Sequence, residues 1–145
     1  MTLSYKQKPP ETLIQPEINL LLDHIKTKSI RDYTMCRLCI YTGLRNSELI
    51  NLLIYDVYAF GEVMDVLEVR AETSKNKQSR KIPLHPTIKS DLEYWIALKS
   101  RLNEPITPTS YLFISARGGR PLSPRDFQRI VSKYSISVLH RSIHP

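Results

Sequence analysis

Residues 41–52 read Tyr41-Thr42-Gly43-Leu44-Arg45-Asn46-Ser47-Glu48-Leu49-Ile50-Asn51-Leu52 and join two helical patterns. An apolar, helix-compatible run precedes them, Gly43 interrupts it, and a second helix follows whose leucines face inward. Such a break lets Arg45 leave the core at a helix start, where the helix dipole favours an anion. The arginine donors suit phosphate oxygens, and Glu48, one helical turn away, can brace its neighbours.

The longer segment, residues 42–57, resembles the first conserved sequence box of the tyrosine recombinases, the phage-integrase family. The matching residues are Thr42-Gly43-Leu44-Arg45, Glu48-Leu49, Leu52 and Asp56-Val57. In that family the arginine contacts the scissile phosphate and the glutamate supports the active site. The resemblance therefore implies these roles for Arg45 and Glu48. Taken alone, the tetrapeptide Thr42-Gly43-Leu44-Arg45 is also consistent with a chance match. Arg45 and Glu48 would then form an ordinary ion pair on the surface.

Length and hydropathy indicate one domain of a soluble globular protein. The chain has 145 residues, which is enough to bury a core. No run approaches the roughly 20 apolar residues that span a bilayer, and the N-terminus has no apolar signal-peptide region. We therefore expect a cytoplasmic protein without a membrane partner.

Charge is distributed unevenly along the chain, which carries +7 overall. Residues 1–69 hold seven Lys/Arg and nine Asp/Glu, a net charge of −2, whereas residues 70–145 hold fourteen and five, a net charge of +9. This asymmetry indicates a surface for a polyanion on the second half and favours nucleic acid as the partner. Basic charge alone is a weak indication, because many soluble domains have a similar pI.

Cys36 and Cys39 form a Cys-x-x-Cys within a run that reads as buried helix. A zinc or redox site would require a second ligand pair or a strand-to-helix turn, and neither flanks these cysteines. We interpret both as core residues and expect no metal and no cofactor.

The chain order predicts a mixed α+β fold, mainly α-helical, with a small antiparallel β-sheet. Residues 1–10 read as a linker, and residues 11–145 as the N-terminal part of an integrase-like catalytic domain. Helices are expected from about residue 13, over 30–41, from the box to about residue 53, over 87–102 and over 125–134. Residues 62–70 and 80–84 are strand-like.

The polar turn between these strands, residues 74–79, contains Lys75 and Lys77. By default a lysine-rich hairpin tip is a solvated edge that prevents aggregation. A basic hairpin ending in an Ile-Pro-Leu-like strand, about thirty residues after the arginine box, also resembles the recombinases. The resemblance implies that Lys75 is the catalytic lysine, with Lys77 as the nearest competitor. The family's frequent glycine beside this lysine is Asn76 here.

The second half of the chain adds further basic residues and a core aromatic. Trp95 reads as core, and Gly118-Gly119 as an ordinary turn without phosphate-loop spacing. Ser123 and Pro124 are suited to start a helix that exposes arginines. The residues assigned to DNA binding are Lys77, Arg80, Arg120, Arg125 and Arg129.

The end of the sequence resembles the threshold of the family's second box, a His-x-x-Arg that precedes the tyrosine nucleophile. His140 and Arg141 are adjacent and do not reproduce it, and His144 could be its first histidine. No tyrosine follows such a box, and Tyr134 reads as core, so we nominate no nucleophile. We expect a chain truncated before that box, monomeric alone, whose complete form works with other recombinase protomers.

The resemblance implies cleavage and rejoining of double-stranded DNA through a phosphotyrosine, without metal or ATP. Arginine would stabilise charge on the phosphate, and lysine would protonate the leaving 5′-oxygen. We expect this chain to be the DNA-binding portion of such an enzyme and inactive in cleavage. One alternative is a non-enzymatic DNA-binding remnant or accessory module of a mobile element, and another is an unrelated RNA-binding protein.

Overall fold

The computed structural model describes residues 13–143. The expected linker at residues 1–10 and His144, the candidate box histidine, lie outside this range. Within it, five α-helices and four short strands follow one another, and no helix is long and apolar enough to cross a membrane. The fold is mixed α+β and mainly helical, which confirms the class predicted from the sequence.

Five helices supply most of the structure. They are α1 Gln15–Lys28, α2 Ile30–Thr42, α3 Asn46–Ile50, α4 Pro86–Arg101 and α5 Pro124–Leu139. The helix of the arginine box is shorter than predicted, because it ends at Ile50 and a 3₁₀ turn, Ile54–Asp56, follows. The last helix is longer than predicted, and it ends only where His140 adopts a left-handed backbone conformation.

Four strands form two separate antiparallel pairs. Strand β1, Tyr58–Ala59, pairs with β2, Glu62–Val63, while β3, Val66–Val69, pairs with β4, Arg80–Pro83. The strand-like stretch 62–70 is thus divided between two partners. The division occurs because Met64 donates its N–H to Val57, whereas the carbonyl of Asp65 accepts from Leu84 on the other side.

The core lies between α1, α2, α4 and α5 and continues under the second hairpin. Trp95 is buried as predicted, and its indole Nε1 donates to the carbonyl of Leu112 at 2.9 Å. Other fully buried side chains of the core include Met35, Leu38, Leu49, Leu67, Leu92, Phe113 and Phe127. The core therefore fixes both the arginine box and the strand that precedes Lys75.

Local capping explains where the helices that flank the site begin and end. Gly43 has φ 70°, a left-handed conformation that costs glycine little, and its N–H donates to Cys39 at the end of α2. At α5, Ser123 and Asp126 exchange side-chain-to-backbone hydrogen bonds, as in a capping box. Both signals were readable in the sequence.

Replacing Phe60 by asparagine is expected to stabilise the fold by roughly 0.5–1 kcal/mol. Phe60 and Gly61 form the two-residue turn between β1 and β2 with φ values of 54° and 82°. The phenyl ring is fully exposed, so it gains no packing that would offset its left-handed backbone. Urea unfolding measures the change. Phe60→Ala, which removes the ring but keeps the strain, is the control, and an equal gain in both variants would contradict the explanation.

Candidate nucleic-acid interface

Arg45 occupies the position before α3, where the chain turns from Gly43 into the helix. Its side chain is exposed and makes no hydrogen bond or ion pair with any residue between 13 and 143. Its backbone N–H donates to Oε1 of Glu48 at 2.9 Å. The residue is therefore held by its main chain while its guanidinium is available to an anion.

Glu48 has a fully buried carboxylate that binds two different parts of the chain. In addition to the Arg45 N–H, it accepts two hydrogen bonds from Arg80, at 2.6 Å to Oε2 and 2.9 Å to Oε1. The bond from Arg80 is the main reason that the pKa of Glu48 lies below its usual range, although burial opposes it. Glu48 thus braces the arginine box, and its charged partner is on the second hairpin.

A second arginine–carboxylate pair lies beside the first. Arg70 directly follows β3 and donates its Nε to Asp56 at 3.0 Å and an Nη to the carbonyl of Asn51 at 2.7 Å. Asp56 also accepts the N–H of Leu53. Burial raises the pKa of Asp56 even though Arg70 favours its charged form. The pair attaches the end of β3 to the segment that follows α3.

The loop between β3 and β4 presents Lys75 and Lys77 to solvent. Both side chains are exposed and lack a hydrogen-bonding partner within the described part of the chain. Under them, buried Ser74 donates its hydroxyl to the Asn76 side chain at 2.7 Å, and the same Asn76 oxygen accepts from Gln78 N–H. Asn76, found where the family often has glycine, therefore organises the turn through its side chain.

Three further arginines assigned to DNA binding lie around the start of α5. Arg120 and Arg125 are exposed, and Arg129 is exposed with its closest carboxylate, Asp126, at 3.9 Å. An ion pair that is this long and this exposed to solvent contributes little binding energy. These guanidiniums keep most of their capacity for an external anion.

Comparison with known proteins matches this chain to one family over nearly its whole length. The model of the phage integrase family matches residues 11–145. The chain belongs to the phage integrase family. A curated tyrosine recombinase from Pseudothermotoga lettingae is 32% identical over 141 residues, which cover 97% of this chain and 44% of that protein.

Solved structures share the family fold. The crystal structure of XerA recombinase superposes with a TM-score of 0.76 at 23% identity and covers 95% of this chain and 46% of the other. The Tn1549 transposon integrase, solved in complex with transposon right end DNA, gives a TM-score of 0.65, covering 94% and 50%. The chain therefore spans about half the length of its integrase-family relatives.

Tyr134, the last tyrosine of the chain, is a core residue, as the sequence predicts. It is 3% exposed, and its hydroxyl donates to Asp32 at 2.7 Å. Burial, followed by this hydrogen bond, raises the pKa of Tyr134. A buried hydroxyl committed to a carboxylate is unsuited to attack a phosphate.

Cys36 and Cys39 are free thiols, and Cys36 is buried in the helical core. Burial raises the pKa of both thiols, that of Cys39 to about 12. Across residues 13–143, no cluster of three or more His, Cys, Asp or Glu is arranged to hold a metal ion.

Sequence reasoning assigned no role to Arg70 or Asp56 and placed Arg80 among the DNA contacts. The structure pairs Arg80 with Glu48, which accepts the Arg45 N–H, and pairs Arg70 with Asp56 in the segment that follows α3. A signal for the first pair was present, because Asp56 belongs to the box, and the structure buries it in a 3₁₀ turn. A buried aspartate needs a cation, and Arg70 ends the strand that follows.

Glu48→Gln is expected to lower the free energy of unfolding at neutral pH by roughly 1–2 kcal/mol. Because the pKa of Glu48 is depressed in the folded state, its ionised form stabilises the fold above the ordinary glutamate pKa of about 4.3. This stabilisation is lost as pH falls through the folded-state pKa. The parent and Glu48→Gln should therefore converge in acid.

Urea unfolding of both proteins between about pH 7 and pH 3 measures this convergence. The raised pKa of Asp56 has the opposite effect, because protonation of Asp56 at low pH stabilises the folded state. Both proteins contain Asp56, so its contribution cancels in the difference between them. A difference between the two proteins that stays constant with pH would contradict the assignment to Glu48.

Proposed function

We propose that this chain is the phosphate-contacting part of a site-specific tyrosine recombinase and that it binds double-stranded DNA in the cytoplasm. The supporting observation is the arrangement of Arg45 and Lys75. Both are exposed cations whose side chains make no hydrogen bond or ion pair within residues 13–143, and both belong to segments attached to the same buried network around Glu48. Such fixed donors stabilise an anion without reorganising.

In the proposed reaction Arg45 binds the non-bridging oxygens of the scissile phosphate. A tyrosine that has lost its phenolic proton to water forms a bond from its oxygen to phosphorus, and the bond from phosphorus to the 5′-oxygen breaks. Lys75 donates its proton to that leaving oxygen, and Arg45 stabilises the added charge on the phosphoryl group. Our proposal assigns the nucleophile to none of the tyrosines in residues 13–143, and no metal or cofactor takes part.

The remaining basic residues would hold the DNA backbone. Lys77, Arg120, Arg125 and Arg129 are exposed and contribute a sequence-independent attraction to phosphates. With Arg45 and Lys75 they make six candidate contacts, which corresponds to a slope of about −5 in a plot of log affinity against log salt. We propose a monomer in solution that meets other recombinase protomers on DNA.

A second candidate function is DNA binding without cleavage, as in an accessory module or remnant of a mobile element. The buried hydroxyl of Tyr134 is consistent with it, because this tyrosine cannot reach a phosphate without leaving Asp32. Binding through the same surface is common to both candidates, and only strand cleavage by a recombinase that contains this segment together with a nucleophilic tyrosine would separate them.

Fluorescence anisotropy with duplex DNA, single-stranded DNA and duplex RNA over a range of salt concentrations tests the binding. We expect duplex DNA to bind with the slope given above. Preference for RNA, or no salt-dependent binding, would refute the proposal. A nicked suicide duplex run on a denaturing gel reports cleavage, and we expect no covalent adduct from this chain.

A further inference from the structure

Arg80 differs from Arg45 and from the two lysines of the loop because its guanidinium is hydrogen-bonded to a buried carboxylate. Arg45, Lys75 and Lys77 have no side-chain hydrogen bond or ion pair within residues 13–143. Arg80 donates two hydrogen bonds to Glu48, and this interaction raises the pKa of the guanidinium. The side chain of Arg80 is 41% exposed, but a phosphate that used the two Nη donors bonded to Glu48 would have to compete with a fully buried carboxylate.

The bond from Arg80 to Glu48 joins two parts of the chain that carry the proposed catalytic cations. Arg80 is the first residue of β4, directly after the loop that presents Lys75, and it pairs with Val69 of β3. Glu48 lies 32 positions earlier and accepts the backbone N–H of Arg45. One carboxylate therefore contacts both the arginine box and the base of the Lys75 loop.

The other end of the loop is attached in a similar way. Arg70, the residue after β3, binds Asp56 and the carbonyl of Asn51. The loop of Lys75 thus leaves the sheet at one arginine and returns at another, and each arginine binds a buried carboxylate of the segment that begins at Arg45. These two attachments, together with the buried side chains of β3, hold both ends of the loop against that segment.

We propose that Arg80 is a positioning residue for the proposed reaction, which holds Lys75 at a fixed place relative to Arg45 through Glu48, and that it is not a phosphate ligand. The inference rests on the proposed function, since Lys75 needs this placement only if it acts on the phosphate that Arg45 binds. The fork of arginine fixes two donor directions at once, which a lysine ammonium cannot do. Charge alone at position 80 is therefore insufficient.

Two substitutions separate positioning from phosphate contact. Arg80→Lys keeps the positive charge and loses the two-point bond to Glu48. Glu48→Gln keeps an acceptor for the Arg45 N–H and every basic side chain, and it removes a negative charge near the DNA. If Arg80 were a phosphate ligand, Arg80→Lys would bind DNA almost normally and Glu48→Gln would bind it more tightly. Positioning predicts that both variants bind more weakly.

The DNA arm of the experiment measures the salt slope of each variant together with Lys75→Ala. We expect Arg80→Lys and Glu48→Gln to lower the slope by about 0.9, the loss expected for one phosphate contact. Adding Lys75→Ala to either variant should lower it no further, because the contact of Lys75 is already lost. Arg101→Lys, at the exposed end of α4, is the matched control and should keep the parent slope.

The distance arm needs no DNA. Spin labels at Ser47→Cys and Lys75→Cys report the separation of α3 from the loop by double electron–electron resonance. Burial raises the pKa of the native thiols, so labelling should be confined to the introduced cysteines, and the chain without them is the control. We expect one narrow distance distribution, broadened by Arg80→Lys and by Glu48→Gln and unchanged by Arg101→Lys.

A distribution that stays narrow in both variants would overturn the inference, and so would a Glu48→Gln variant that binds DNA as tightly as the parent. Failure of the proposed function has a different signature. The parent chain itself would then show no salt-dependent DNA binding, while the distance distributions would still decide whether Arg80 holds the loop. Urea unfolding confirms that each variant is folded.

Discussion

Glu104→Ala is expected to lower the free energy of unfolding by about 3 kcal/mol, because it leaves a buried ammonium without its counter-ion. Lys99 on α4 has no exposed side-chain surface, and its Nζ lies 2.9 Å from Oε1 of Glu104. The ring of Trp95, with its centroid 5.6 Å from Nζ, would be its remaining attractive contact among those seen in residues 13–143. Equilibrium urea unfolding of the purified variant gives the change directly.

Two controls show that the loss comes from the unpaired charge. Glu93→Ala removes an exposed carboxylate from the same helix and should change stability by less than about 0.5 kcal/mol. Lys99→Met combined with Glu104→Gln replaces both charges and should recover most of the lost stability, since well-packed apolar replacements of buried pairs are often neutral. A single variant as stable as the double one would show that Lys99 reaches water without Glu104.

Arg45→Ala is expected to weaken duplex DNA binding about tenfold, which corresponds to roughly 1.5 kcal/mol for one hydrogen-bonded charge. It should also lower the salt slope by about 0.9. The fold should be unaffected, because the bond between Arg45 and Glu48 uses the backbone N–H, which alanine retains. Anisotropy titrations at several salt concentrations measure both quantities.

Arg101→Ala is the matched control, because it removes the same charge from an exposed position at the end of α4. It should change affinity much less than Arg45→Ala. Equal losses in the two variants would mean that DNA responds to net charge alone. The box arginine would then have no special part in the interface.

The helical half of the fold could be predicted because its signals are local. Gly43 ends α2, Ser123 caps α5, and Trp95 lies on an apolar stripe, and each of these assignments depends on residues within a few positions. The interruption of the strand at Met64 could not be predicted in this way. It depends on which distant carbonyl each N–H finds, and an apolar pattern contains no such information.

The residues of the site also divide into those that local sequence predicts and those that depend on distant contacts. Arg45, Glu48 and Lys75 could be nominated from the order and spacing of motifs, and their roles on DNA remain predictions. The partner of Glu48 could not be nominated, because the ion pair with Arg80 spans 32 positions and a basic strand offers several candidates. The assignment of Arg80 to DNA stays a prediction, and only the three-dimensional structure shows that two of its donors bind Glu48.

The most direct test of the account observes the two cations themselves while DNA binds. Side-chain NMR signals of arginine Nε and lysine Nζ can be followed during titration with a short duplex, with assignments from Arg45→Lys and Lys75→Arg. We predict that the signals of Arg45 and Lys75 shift together with one dissociation constant, while that of Arg101 stays in place. Shifts confined to the arginines of α5, with Arg45 and Lys75 unmoved, would contradict the account.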